Sequence, residues 1–210
     1  REMDLAAARR HDEWNLLALG SLNAAHSLWW VGWGPLAPLA ARLLTPLFLA
    51  DCAYLVCDLG WLVFSPRCVA PEVRRTLLIH HVIVVACIPV AWSHHVLMAH
   101  LLRTWVVEIH SCVHIAARHL PSPKLRAALQ RLSKPIFVGL RLIGFPLTWF
   151  AYARDRAALT DAMREAQVPL RCHLPLSIAH FAMYGLMLKW GHTLLFSKRR
   201  GGASPDTKAD

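Results

Sequence analysis

Apolar residues run along the chain in six stretches of roughly spanning length, at 14–33, 43–64, 76–92, 96–117, 135–153 and 174–196. A bilayer core of about 30 Å takes roughly 20 such residues as a helix. The pattern therefore predicts an all-α, polytopic membrane bundle of about six transmembrane helices. Polar, Pro-bearing segments punctuate the runs: Ser65-Pro66-Arg67, Pro121-Ser122-Pro123-Lys124 and 155–169. The third and fourth runs are joined only by Ser93-His94-His95, which predicts a tight antiparallel hairpin. No internal repeat and no second domain is visible. The expected organisation is an N-terminal segment at 1–13, a transmembrane domain over 14–196 and a disordered basic tail over 197–210. The first residue is Arg1, not Met, so further residues are expected upstream. A charged start followed by a run of spanning length argues against a cleavable signal peptide.

Composition narrows the class. Hydrophobic residues make up 56% of the 210 and charged residues 17%, against roughly half and a quarter in soluble domains. The same figures exclude disorder, whose mark is low hydrophobicity. Six Cys, lying mostly inside apolar runs, exclude a secreted disulfide scaffold. The net charge of +10 then reads as membrane topology, with no nucleic-acid partner expected. With six spans, fifteen Lys and Arg fall on the side of the termini and the second and fourth loops, against five on the other side. The positive-inside rule places both termini, and so the segment 1–13 and the tail, in the cytosol.

Charge inside a span is costly and normally faces a bundle interior or cavity. Asp58, His80, His81, Arg103, Glu108, Arg141 and Lys189 are the candidates. Counted from the hairpin centre at His94, His80 lies fourteen residues before and Glu108 fourteen after, about 21 Å in each direction at 1.5 Å per residue. Counted from Ala70, Asp58 and His81 are level in the same way. Arg141 and His80 lie at similar depths from the cytosolic side. An Asp, two His, a Glu and an Arg from four helices thus share one layer. The expected pairing is Glu108 with Arg141 or a protonated His, and Asp58 with the other His, so that no buried charge stands alone. Lys189 is expected to snorkel to the headgroups. His110 and His114 have the i, i+4 spacing of metal ligands, but without a third ligand they read as interhelical contacts, and no metal or cofactor is expected. Trp29, Trp30, Trp33 and Trp92 read as interface anchors. The stretch 124–132 reads as an amphipathic helix on the cytosolic headgroups. Nucleophile elbows, zinc motifs and phosphate-binding loops are absent from the sequence.

The order of these motifs resembles the TLC domain, the polytopic lipid-handling domain of ceramide synthases, translocation-associated membrane proteins and a group of non-synthase TLC domain-containing proteins. The resemblance rests on Trp14, Asn15, Ser21, His26 and Ser27 in the first run and on Tyr54 and Asp58 in a Y-x-x-x-D pattern. It continues with the paired His80-His81, with Val107-Glu108-Ile109-His110-Ser111, and with Arg141 through Pro146 in an R-x-x-x-F-P pattern. It implies a helical bundle around a lipid-accessible tunnel, with Asp58, His80, His81, Glu108, Arg141, Tyr54, Ser111 and His26 along the tunnel. The chain departs from the expected pattern in four places. Glu108 and Ser111 stand where the synthases' H-D-x-x-D element is usual, an apolar stretch follows His81, the sixth run lacks the Asn expected a few residues before Trp190, and His110 replaces the customary Asn. These departures favour the non-synthase branch, which implies regulation of membrane phospholipid composition and fluidity.

Three functions follow as expectations. The first is a lipid-homeostasis protein in the plasma membrane or endoplasmic reticulum that binds phospholipid or acyl chains without turnover. The second is a ceramide-synthase-type N-acyltransferase with acyl-CoA as substrate. In it one of His80 and His81 serves as general base or acyl acceptor, and Asp58 or Glu108 orients the ring. The third, an ion-coupled transporter, is disfavoured by the lack of internal repeats and broken helix pairs.

Overall fold

The computed structural model describes residues 3–31, 37–157 and 169–196. Among them every regular element is helical: α1 (Leu5–Val31), α2 (Ala37–Phe64), α3 (Pro71–Trp92), α4 (His95–Thr104), α5 (Glu108–His119), α6 (Pro123–Phe137), α7 (Phe145–Ala157) and α8 (Leu170–Phe196). A 3₁₀ turn, Trp105–Val107, joins α4 to α5 in one rod, and a π-helical segment, Val138–Gly144, joins α6 to α7 in another. Trp33 and the tail 197–210 lie outside the described residues, as does most of the last loop.

Four segments are long and apolar enough to cross a membrane, namely Arg42–Phe64, Pro71–Trp92, His95–His119 and Pro123–Arg154. They correspond to the second through fifth apolar runs. The outer helices α1 and α8 are 27 residues each. Their apolar content is diluted by Asn15, Asn23 and His26 in α1 and by His173, His180 and Lys189 in α8.

Two boundaries differ from expectation. Helix α1 begins at Leu5, nine residues before Trp14, because Asp4 caps it: its Oδ1 accepts from the backbone N–H of Ala6 and Ala7, both at 3.0 Å. Most of the segment expected as a cytosolic leader is therefore the opening of the first helix. The stretch 124–132 is helical, as expected, with Leu125 and Leu132 exposed. It is not a separate surface helix, however. Ser122 accepts from the N–H of Leu125 at 3.4 Å to start α6, Pro123 occupies the first turn, where its missing N–H costs nothing, and the rod runs on through α7. Pro135 removes one helical hydrogen bond inside it. The widened π turns begin three residues later.

In the packing, α1 lies on α2 and α5, α3 lies on α2, α4 and α8, and α5 lies on α6. The two interrupted rods touch where the 3₁₀ turn meets the π segment. The interior is largely apolar, but large hydrophobic side chains also face outward and several polar ones are buried. Leu17, Leu49, Val82, Leu147 and Ile178 point outward, while His11, Asn15, Asp51, Asp58, His81 and Arg141 are buried. Hydrocarbon outside requires every internal polar group to find an internal partner, and that requirement organises the site. Trp92 is 51% exposed at a helix end against Phe48, and Lys189 is exposed.

Gly191 of α8 lies against the start of the π segment. A methyl group added there would meet Phe137 Cε1 at 3.0 Å and the Leu142 methyls at 3.5 Å. Phe137 is buried and would have to shift by a few tenths of an ångström. Gly191→Ala is expected to destabilise the detergent-solubilised protein by about 1–3 kcal/mol through overpacking, measured by thermal unfolding. An unchanged midpoint would show that α8 does not press on this rod.

Candidate functional site

The layer counted from the turns is assembled around a cavity of about 450 Å³. Tyr54 and Asp58 reach it from α2, His80 and His81 from α3, Glu108 and Ser111 from α5, and Arg141 from the π segment. His26, grouped with them from sequence, is not in the cavity wall. It sits one layer behind, stacked on Trp105 at 5.5 Å and paired with Asp51 at 3.0 Å.

Two ionic groups frame the cavity. In the first, Asp58 stands between two imidazoles. Its Oδ1 accepts from His11 Nε2 at 2.8 Å and from Asn15 Nδ2 at 3.2 Å, and its Oδ2 faces His81 Nε2 at 2.9 Å. Tyr54 donates to Asn15 Oδ1 at 2.7 Å and stacks on Trp14, which locks the amide that serves Asp58. His81 Nδ1 bonds the Leu77 carbonyl at 2.7 Å. A carbonyl only accepts, so that nitrogen carries the hydrogen of this bond, while Nε2 pairs with the Asp58 carboxylate. Both nitrogens of His81 are thus engaged.

In the second group, Arg141 Nη2 donates to Ser111 Oγ at 2.7 Å and to both Glu108 oxygens at 3.4 Å, while its Nε donates to the Val107 carbonyl at 3.3 Å. The guanidinium also lies 5.3 Å over the Trp190 ring, a cation–π contact. Both irregular turns take part. The 3₁₀ turn supplies Val107 and leads into Glu108, and the π segment carries Arg141. Widened single turns of this kind recur at functional sites.

His80 differs from its neighbour. Its ring lies 5.1 Å from His81 and 6.1 Å from Trp190, and its Nδ1 is buried without a protein partner among the described residues. Among the described residues it is the imidazole of the pair with a buried nitrogen that no protein group satisfies. Away from the two ionic groups much of the cavity wall is apolar, with Leu19, Val84, Cys87, Ile115, Met183 and Met187 among its residues. Near the C-terminal end of α5, Asp12 accepts from Arg118 and His119, each at 2.8 Å, and ties α1 to α5 beside the cavity.

His110 and His114 stack at 5.9 Å, and His110 Nε2 bonds Ser133 Oγ at 3.1 Å, so the pair works as an interhelical contact. Among the described residues no three His, Cys, Asp or Glu side chains converge as metal ligands. In the His11–Asp58–His81 cluster the donor atoms bond one another directly.

Sequence reasoning missed His11, Asn15 and Asp51. The first two lie in or beside the segment assigned to the cytosol, although their i, i+4 spacing after a capping Asp is a helix signal. Asp51 precedes Asp58 by two helical turns and shares its face of α2. Like Asp58 it is a charge inside the second apolar run, a signal that was there to be read. Compared with family models, curated proteins and solved structures, the chain matches none at a significant level.

Proposed function

We propose that the chain is a multi-pass membrane protein of lipid homeostasis, a six-span bundle of TLC type. Its cavity binds phospholipid or acyl chains, and through that binding it regulates membrane phospholipid composition and fluidity. Plasma membrane or endoplasmic reticulum is the proposed location. The observation that carries the reading is the amphiphilic cavity: an apolar chamber of about 450 Å³, within the range of small-molecule sites, bordered by Arg141, His80 and His81. A lipid offers the matching chemistry, with hydrocarbon for the apolar wall and a phosphate or carbonyl for the guanidinium and the histidine pair that line it. Outward Leu17 and Leu28 on α1, and Leu174, Ile178 and Phe181 on α8, support membrane immersion of those helices as well.

A second reading, the acyl-CoA-dependent N-acyltransferase, is favoured by one observation. His80 lines the cavity and has a buried nitrogen without a partner among the described residues, while its neighbour is held by Asp58 and Leu77. In that reading His80, not His81, is the base or acyl acceptor. The experiment is mass spectrometry of lipids copurifying with the protein, followed by incubation with acyl-CoA and long-chain amines. The lipid-binding reading expects one lipid class enriched severalfold over the surrounding extract, and no new product. A bulk-like lipid profile removes that reading. An N-acylated product that is lost in His80→Ala replaces it with the second.

A further inference from the structure

At the opposite end of the cavity from the ionic groups stand two imidazoles with no part in the proposed headgroup binding. His100 of α4 is 1% exposed and His180 of α8 is 6% exposed, and both line the cavity. Their rings lie 5.6 Å apart. Among the described residues, His100 Nδ1 and His180 Nε2 are buried without a hydrogen-bond partner. The surroundings are aromatic: Phe145 stacks on His180 at 4.2 Å, Tyr152 lies 4.7 Å from His100, and Trp149 packs against both. The Tyr152 hydroxyl is taken up by His173 Nδ1. Unlike His11, His26 and His81, neither ring is bonded to a carboxylate.

We propose that His100 and His180 form a second polar subsite that receives a hydroxyl carried partway along the ligand's apolar chain, so that hydroxylated acyl chains bind in preference to unsubstituted ones. The inference rests on the lipid reading above. Neutral imidazole presents one N–H and one bare nitrogen. Two such rings, without a neighbouring acid, suit a group that both donates and accepts and carries no charge. An alcohol is the smallest such group. A carboxylate would need donors only, and an ammonium acceptors only. The spacing fits a chain: His100 precedes Glu108 by eight residues and His180 precedes Trp190 by ten, which places the subsite roughly 12 to 15 Å along the helix axes from the Arg141 layer. Between them the wall is Val84, Cys87, Val107 and Met183. A hydroxyl arriving there would meet two cavity-lining rings for which no hydrogen bond is made among the described residues, and a plain methylene chain would offer them no polar contact.

The test uses the full chain in detergent with three probes: octadecanoate, its alpha-hydroxy form, and a mid-chain hydroxyoctadecanoate. The expected result is that the mid-chain hydroxy acid binds about tenfold tighter than either of the others. The preference should collapse toward equality in His100→Phe and in His180→Phe while octadecanoate affinity stays within about twofold. His100→Gln and His180→Gln retain donor and acceptor, guard against misfolding of the Phe variants, and should keep part of the preference. Equal affinity of all three probes in the wild type overturns the subsite and leaves the lipid reading standing. A preference that persists with both His100 and His180 replaced by Phe overturns the assignment to these residues. Failure of every probe to bind overturns subsite and lipid reading together.

Discussion

Replacing Asp58 by Ala is expected to lower the unfolding free energy of the solubilised protein by about 3–5 kcal/mol, the usual loss when one member of a buried ion pair is removed. Only 4% of the Asp58 side chain and 5% of that of His81 are accessible, so solvent screens little of the interaction. The truncation leaves His11 and His81 without their common acceptor and strands the Asn15 amide, which Tyr54 still holds in place. Asp58→Asn keeps the shape but offers one carbonyl oxygen where two imidazoles and an amide now converge, and is expected to lose roughly half as much. Chemical unfolding followed by tryptophan fluorescence gives both numbers, since Trp14 and Trp61 pack beside this cluster. A loss below about 1 kcal/mol for Asp58→Ala would mean that the pairs behave as exposed ones, and the cluster would not organise the bundle.

The height of this cluster is legible in the sequence because two turns are short. Ser93-His94-His95 and the loop after Phe64 fix the register of α2, α3 and the α4–α5 rod, and counting residues from them puts Asp58, His80, His81 and Glu108 at one level. Azimuth is less legible. His80 and His81 are adjacent, so they point about 100° apart on a helix. The sequence does not say which one meets Asp58, whereas the bond of His81 to Leu77 and Asp58 decides it. His11 is hidden because apolar content alone starts the first helix at Trp14, while its true start is set by the Asp4 cap. His100 and His180 are hidden for another reason. They lie eighty positions apart in different apolar runs, and the packing of α4 and α8 against α7 brings them together. The π segment leaves no readable mark beyond Pro135, since the widened turns depend on how the α6–α7 rod meets the 3₁₀ turn of its neighbour.

Arg141 carries the second large expected effect, and its pattern separates a structural ion pair from a frame for a ligand. Arg141→Ala removes the partner of Glu108, Ser111 and the Val107 carbonyl together, and is expected to destabilise by about 3–5 kcal/mol. Arg141→Lys keeps the charge but loses the fork that reaches Ser111 and Val107 at once, and it weakens the stacking on Trp190; about 1–3 kcal/mol should be lost, because the two cations are not equivalent at a bidentate, stacked site. Paired with Glu108→Gln in a double-mutant cycle, Arg141→Met should show a coupling of about 1–3 kcal/mol, since contacting groups in one network do not add. The double variant removes both charges without leaving either one buried alone, so it should regain much of the stability lost in Arg141→Ala. If the guanidinium also meets a lipid headgroup, that rescued variant should fold and still copurify with severalfold less phospholipid. Rescue of stability with unchanged phospholipid would assign Arg141 to the fold alone, and a coupling near zero would separate it from Glu108 altogether.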